Sequence, residues 1–351
     1  MAGLTAWRRQ LQRAVFLRLP PRLQDAYASL RFARRYRLPN TIYLETTSAC
    51  NLNCVMCAAQ RPAVKAVKPS GYMELALFRR LVDELAGLPS IQSVYLHKDG
   101  EPLLHPDIVE MIGYAASRHP NVTLVTNATR LDAAMARAIL ATPLQQIRFS
   151  VDGLSKATFE KVRVQRPDNE FAGSGERIDH DAVMANIEQF LAIKAEVGNR
   201  TMRVGMRTTA FKGTAGEVEA YRAHWARRVD FVDAVELISW SGVISREDAA
   251  GREPCIAPWA MAVVSWDGAL VPCCAYVDDR GHRRGTLYDL TRGSLRQGLR
   301  APARGALMRA HLDNDLAAVA PYCVSCRDWR SIPVPRWRRA RTLRLLRRAA
   351  P

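Results

Sequence analysis

The chain has 351 residues, 48% hydrophobic and 24% charged, with a formal net charge of +17. Residues 1–38 and 327–351 each carry nine arginines against one aspartate, so sixteen of the seventeen surplus charges lie at the ends and one is left for residues 39–326. A length of this order buries a large core, and a nearly neutral middle argues against a nucleic-acid substrate, whose enzyme carries its positive patch around the active site.

The ends stand either as a solvated basic fringe or as Arg-rich helices, with Trp7, Phe16 and Leu17 at one end and Trp337, Leu343 and Leu346 at the other, that touch an acidic protein or an anionic membrane surface. No apolar run reaches the ~20 residues needed to span a bilayer. Arg8, Arg9, Arg13 and Arg18 interrupt the first apolar stretch, which makes it a poor signal peptide.

From Thr41 onward, strand-like runs alternate with helical patterns. The strands are expected at Thr41–Thr46, Ser93–Lys98, Val122–Asn127, Gln146–Asp152, Met202–Thr209 and Ala234–Ser239. The helices are expected at Glu74–Ala86, Asp107–Arg118, Leu131–Leu140, Lys156–Val162, His180–Val197 and Gly216–Arg228, with Asp107 and Asp132 as start signals. Arg166–Gly175 reads as a surface loop. Six strand–helix units in one direction predict a parallel sheet covered by helices. The strands alternate, which a sheet buried on both faces would not do. Ile42, Leu44, Ile147, Phe149, Val204 and Met206 belong to a helix-covered face. Glu45, His97, Asp99, Asn127, Arg148, Ser150, Asp152 and Arg207 belong to the other, which reads as a wet substrate cavity or as a buried ion-pair network.

The most informative feature is Cys50-Asn51-Leu52-Asn53-Cys54-Val55-Met56-Cys57, directly after the first strand. Four-iron clusters normally take four cysteines. Three thiolates leave one iron open to a small molecule. Zinc wants four ligands, and no further Cys or His lies close in sequence. The C-x3-C-x2-C spacing after a strand resembles the radical S-adenosylmethionine (radical SAM) superfamily.

That resemblance implies a [4Fe-4S] cluster on Cys50, Cys54 and Cys57, with S-adenosylmethionine chelated at the open iron. It also implies an external one-electron donor such as flavodoxin or ferredoxin, and the partial (β/α)6 barrel of the family. Asp99-Gly100-Glu101-Pro102 looks like the family's Gly-Gly-Glu-Pro turn for the methionyl amino group, with Asp99 where the first Gly is usual. Met56 takes the place of an aromatic near the adenine. Ser150-Val151-Asp152-Gly153 resembles the fourth-strand contact to ribose and carboxylate, and Arg163 resembles a partner of the methionyl carboxylate. Asn127 joins this cofactor-facing set.

A second thiol group follows. Cys255-x2-Pro258-Trp259, a hairpin turning at Asp267-Gly268, Cys273-Cys274 and Cys323-x2-Cys326 resemble the SPASM or twitch extension of the family. The resemblance implies one auxiliary [4Fe-4S] cluster on Cys255, Cys273, Cys323 and Cys326, the alternative being a structural zinc. Cys274 is left over, as a small buried residue beside a ligand or as a hydrogen-atom donor to a substrate radical. Clustered thiols of this kind point to a reducing, cytoplasmic setting.

The expected fold is therefore α/β, a partial radical SAM barrel over 39–245 followed by a small SPASM/twitch domain over 246–330, between a basic helical extension (1–38) and a basic tail (331–351). The expected function is abstraction of a hydrogen atom from a small polar substrate, oxidising or epimerising a sugar or aminocyclitol. A peptide-modifying maturase and a non-catalytic iron–sulfur electron carrier are the alternatives.

Overall fold

The computed structural model describes residues 38–164, 178–241, 254–277 and 284–328, with Pro20 and Leu23. The expected basic ends and the loop at 166–175 lie outside the described residues. Six parallel strands follow one another across one sheet: β1 Thr41–Leu44, β2 Ser93–Tyr95, β3 Val122–Thr126, β4 Gln146–Ser150, β5 Arg203–Ala210 and β6 Phe231–Glu236. Their crossovers carry the helices α1 Pro62–Val67, α2 Leu75–Glu84, α3 Ile108–Arg118, α4 Ala133–Leu140, α5 Lys156–Val162 and α6 His180–Glu196, and α7 Val218–Trp225 precedes β6.

The alternation of the strands decides which face the helices cover. Ile42, Leu44, Val94, Leu124, Ile147, Phe149, Val204 and Met206 share one core with Phe78, Leu81, Met111, Ile139, Ile187 and Phe190. Phe149 meets Phe190 edge-on at 5.3 Å and is fully buried. Truncating such a ring to alanine costs about 3–5 kcal/mol. Asp132 caps α4 by accepting from the Met135 amide. Asp107 stands at the N-cap of α3 but makes no side-chain cap bond; its amide donates instead to Nδ1 of His105.

The sixth strand begins at Phe231, three residues before the expected Ala234, and ends three residues short of Ser239. The reason is packing. Phe231 lies against Gly205 of β5, in the space a Cβ would fill. Beyond the strand, Trp240 and Ser241 take left-handed backbone angles (φ 50° and 56°) that end the extended run.

The C-terminal segment adds to the same sheet. Strand β7 (Met261–Val264) pairs parallel to β1 over its whole length, so β1 is flanked by β2 on one side and β7 on the other. β8 (Ala269–Val271) returns antiparallel, and β9 (Tyr288–Asp289) completes the edge. The short helix α8 (Ala257–Ala260), α9 (Leu295–Leu299), α10 (Pro302–Asp313) and α11 (Pro321–Val324) cover this part. Arg304, 3% exposed, ties it together by donating to the carbonyls of Leu299 and Pro258 at 2.9 and 2.6 Å. A second apolar cluster, including Val263, Val271, Tyr276, Leu307 and Tyr322, packs against Tyr43, Cys273, Cys274 and Cys323.

Candidate functional site

The loop after β1 carries Cys50, Cys54 and Cys57, and all eight cysteines are free thiols. The loop is held by backbone bonds: Asn53 N to Val164 O at 2.7 Å, Val55 N to Val162 O at 3.0 Å and Cys57 N to Cys54 O at 2.9 Å. Burial pushes all three thiols up, Cys54 to about 12; Cys50 also feels Cys54 and Cys57, and Cys54 feels Cys57. Buried thiols that repel one another as thiolates are stabilised by a cationic centre among them, which is the donor chemistry of an iron–sulfur cluster. Among the described residues, no three His, Cys, Asp or Glu side chains converge on the position of a single metal ion. A cubane does not require that, because its thiolates ligate separate irons.

The turn after β2 is pressed against this loop. Gly100 passes under the carbonyls of Thr47 and Ala49 so closely that a Cβ has no room. The Glu101 amide donates to Ala49 O at 2.8 Å, and Gln60 Nε2 donates to the carbonyl of Asp99 at 2.8 Å. The Glu101 carboxylate accepts from Leu103 N, Thr126 Oγ1 and Asn127 N, so it ties the ends of β2 and β3 together. Burial raises its pKa against these bonds. Pro102 opens a single 3-10 turn.

Asp99 does more than tolerate its turn. Its Oδ2 accepts from Lys68 at 2.7 Å and from Lys98 at 2.5 Å, and Lys68 also faces Glu45 at 2.9 Å. Burial works against the Asp99 charge, but the two ammonium groups win and hold its carboxyl below the usual range. Oδ1 of Asp99 is buried without a partner. The inner part of the polar face is thus an ion-pair network.

Ser150, Asp152 and Arg163 come together as the sequence groups them. Arg163 donates to Asp152 Oδ2 at 2.8 and 2.6 Å and to Ser150 Oγ at 2.7 Å. Its charge lowers the pKa of Cys54 and Glu101. Asn127 donates to Asn51 Oδ1 at 3.1 Å, so it braces the cysteine loop. Met56 is buried, and the indole of Trp240 donates to its carbonyl at 3.0 Å and packs by Cys57. Sequence reasoning missed Trp240. An aromatic was absent at position 56, and only the fold shows that one arrives from 184 residues further on. Lys68 was missed too, since a lysine after a short helix carries no local signal.

Cys255, Cys273, Cys323 and Cys326 are brought together from three separate segments. The Cys273 thiol is pushed up by burial and then by Cys274, Cys323, Cys255 and Cys326. Cys326 is raised to about 11, mainly by burial and then by Asp328, whose amide donates to its sulfur. Cys274 turns elsewhere: the charges that act on it belong to Lys98, Arg207, Asp328 and Asp99. Asp328 lies beside Cys326, and the other three are groups of the barrel lumen. Tyr43 and Tyr95 stack there at 4.8 Å, with His97 edge-on to both at 5.7 Å.

Residues 44–178 match the family model described as "Radical SAM superfamily". The AdoMet-dependent heme synthase of Methanosarcina barkeri is 31% identical over 125 residues, 36% of this chain and 34% of that protein. The mycofactocin maturase MftC of Mycobacterium tuberculosis is 29% identical over 133 residues, 38% of this chain and 32% of that one. The chain spans about a third of the length of these curated relatives. The crystal structure of BtrN in complex with AdoMet and 2-DOIA aligns with a TM-score of 0.51 at 17% identity, over 83% of this chain and 93% of that chain, a likeness of fold.

Proposed function

We propose that this radical SAM enzyme takes one hydrogen atom from a carbon of a polar substrate seated in the barrel lumen, between the two thiol groups, and oxidises or epimerises it. Cys50, Cys54 and Cys57 would hold the [4Fe-4S] cluster, with Glu101, Pro102, Gly100, Asp99, Asn127, Met56, Ser150, Asp152 and Arg163 around the S-adenosylmethionine. When bound, that pair supplies a 5′-deoxyadenosyl radical by one-electron cleavage of the sulfonium. Cys255, Cys273, Cys323 and Cys326 would hold an auxiliary [4Fe-4S] cluster able to take an electron. The barrel residues orient the substrate and exclude water.

The observation that carries the reading is the position of the lumen groups. Tyr43 packs against the same apolar cluster as Cys273 and Cys274, while Asp99 acts on both Cys57 and Cys274. This supports a polar space between the two thiol groups. A sugar or aminocyclitol fits a space of this polarity. A peptide is the second reading, favoured by the relative named a maturase. Among the described residues no helix is long and apolar enough to cross a membrane.

The test is anaerobic turnover in heavy water. Loss of a hydrogen atom, then of a proton and an electron, gives a product two hydrogens lighter and unlabelled. Return of a hydrogen from Cys274 gives one solvent deuterium at the inverted carbon, and Cys274→Ala then forms 5′-deoxyadenosine without the epimer. Absence of any 5′-deoxyadenosine with dithionite and S-adenosylmethionine would refute the enzyme reading in favour of an electron carrier.

A further inference from the structure

The polar face of the sheet holds one cation that none of its ion pairs uses. Deep inside, Lys68 and Lys98 stand against Glu45 and Asp99, two cations for two anions. Toward β4–β6, the guanidinium groups of Arg148 and Arg207 face the single carboxylate of Asp233. Strand register places Arg207 between Ser150 on β4 and Asp233 on β6. Both neighbours are committed elsewhere. The Ser150 hydroxyl accepts from Arg163 at 2.7 Å. Asp233 accepts from Arg148 at 3.0 Å. Arg148, in register with Gly205, lies 5.2 Å from the Phe231 ring that covers that glycine and 5.6 Å from the Tyr95 ring.

Arg207 is half-buried, yet among the described residues its guanidinium makes no hydrogen bond and no ion pair. Its surroundings say which way it looks. Arg163 acts on Cys50, Cys54 and Glu101, and its bonds go to Asp152 and Ser150. The charge of Arg207 reaches Tyr43 and His97, and Tyr43 packs against the apolar cluster that Cys273 also joins. Nδ1 of His97, on which the Arg207 charge acts, is buried and also without a partner.

We infer that Arg207, flanked by Arg148 and His97, seats an anionic group of the substrate, a carboxylate or a phosphate. A planar guanidinium with free donors meets either oxyanion with two parallel bonds. This rests on the lumen being the substrate site and narrows it. An acidic sugar or a carboxylate-bearing peptide is neutralised there, whereas a cationic aminocyclitol meets the like charge of Arg207.

The experiment is arginine labelling of the reconstituted, full-length enzyme with phenylglyoxal, read at individual residues by peptide mass spectrometry. Exposed Arg200 is the internal control. The probes are inorganic phosphate and malonate, against chloride at matched ionic strength. Arg207 is expected to label in chloride and to be protected by one of the anions while Arg200 is not. Protection by phosphate or by malonate tells which oxyanion is preferred. In Arg207→Gln, the anion concentration that protects Arg148 should rise about tenfold or more, the loss of a charge-assisted pair; Arg207→Lys should recover part of it. Labelling of Arg207 that neither anion changes, or that falls in step with Arg200, overturns the inference. So does full protection by S-adenosylmethionine alone, since the anion would then be the cofactor's carboxylate. The readout needs no S-adenosylmethionine cleavage, so its failure is distinct from failure of the enzyme reading.

Discussion

Lys68→Met tests whether the ion-pair network holds the inner lumen in shape. The substitution removes the cation 2.9 Å from Glu45 and 2.7 Å from Asp99. Asp99 keeps Lys98, but Glu45 is left with the Trp266 amide at 3.1 Å and no cation that an ion pair records. Breaking a buried pair from one side costs about 3–5 kcal/mol. At about 2 °C per kcal/mol for a chain of this size, the unfolding midpoint should fall by roughly 5–10 °C. Asp99, whose pKa is depressed, contributes stability above the range where an unfolded aspartate titrates and loses it as pH falls through the lower native value. In the variant that depression is weaker, and a buried carboxylate without a cation takes up a proton more readily. The gap between wild type and variant should therefore be widest at neutral pH and narrow as the medium is acidified. Thermal unfolding of reconstituted protein, followed by tryptophan fluorescence at several pH values, measures this. Lys68→Met/Glu45→Leu should recover much of the loss, because an apolar pair of similar volume replaces a buried ionic one at little cost. A gap that does not change with pH, or a double variant no better than the single one, would show that lost packing and not charge explains the effect.

Anaerobic reconstitution should load about eight irons, and replacing Cys50, Cys54 and Cys57 with Ala should leave about four, counted by iron assay; four irons with stoichiometric zinc would reassign the second thiol group. Glu101→Gln should weaken S-adenosylmethionine binding in equilibrium dialysis and lower stability by about 1–3 kcal/mol, since one of three donors then faces an amide NH2. Unchanged binding with a lowered midpoint would leave Glu101 as a tie between strands only. Deleting residues 1–38 or 337–351 should alter solubility or attachment and spare 5′-deoxyadenosine formation, because residues 39–326 carry almost none of the net charge. A salt-sensitive affinity of the trimmed protein for RNA would contradict that charge argument.

The sequence by itself determined the parallel α/β architecture and the first thiol group, because both are written locally. Period-two alternation in Gln146–Ser150 and Arg203–Ala210 sets which side chains meet the helices, and Cys50, Cys54 and Cys57 share one short loop. The grouping of Ser150, Asp152 and Arg163 was legible for the same reason, since β4 and α5 are joined by a short connection. Tertiary structure alone decided the rest. That β7 would pair with β1, more than 200 residues earlier, depends on an open sheet edge that no local pattern reports. Trp240 reaches Met56, Lys68 joins Glu45 to Asp99, and Asp233 pairs with Arg148 rather than with its strand neighbour Arg207. The last of these follows strand register, which sets Arg207 opposite Asp233 and Ser150 while Arg148 takes the carboxylate. A charge in a sequence has no partner until the fold supplies one, and so the absence of an ion pair at Arg207 belongs to the tertiary structure.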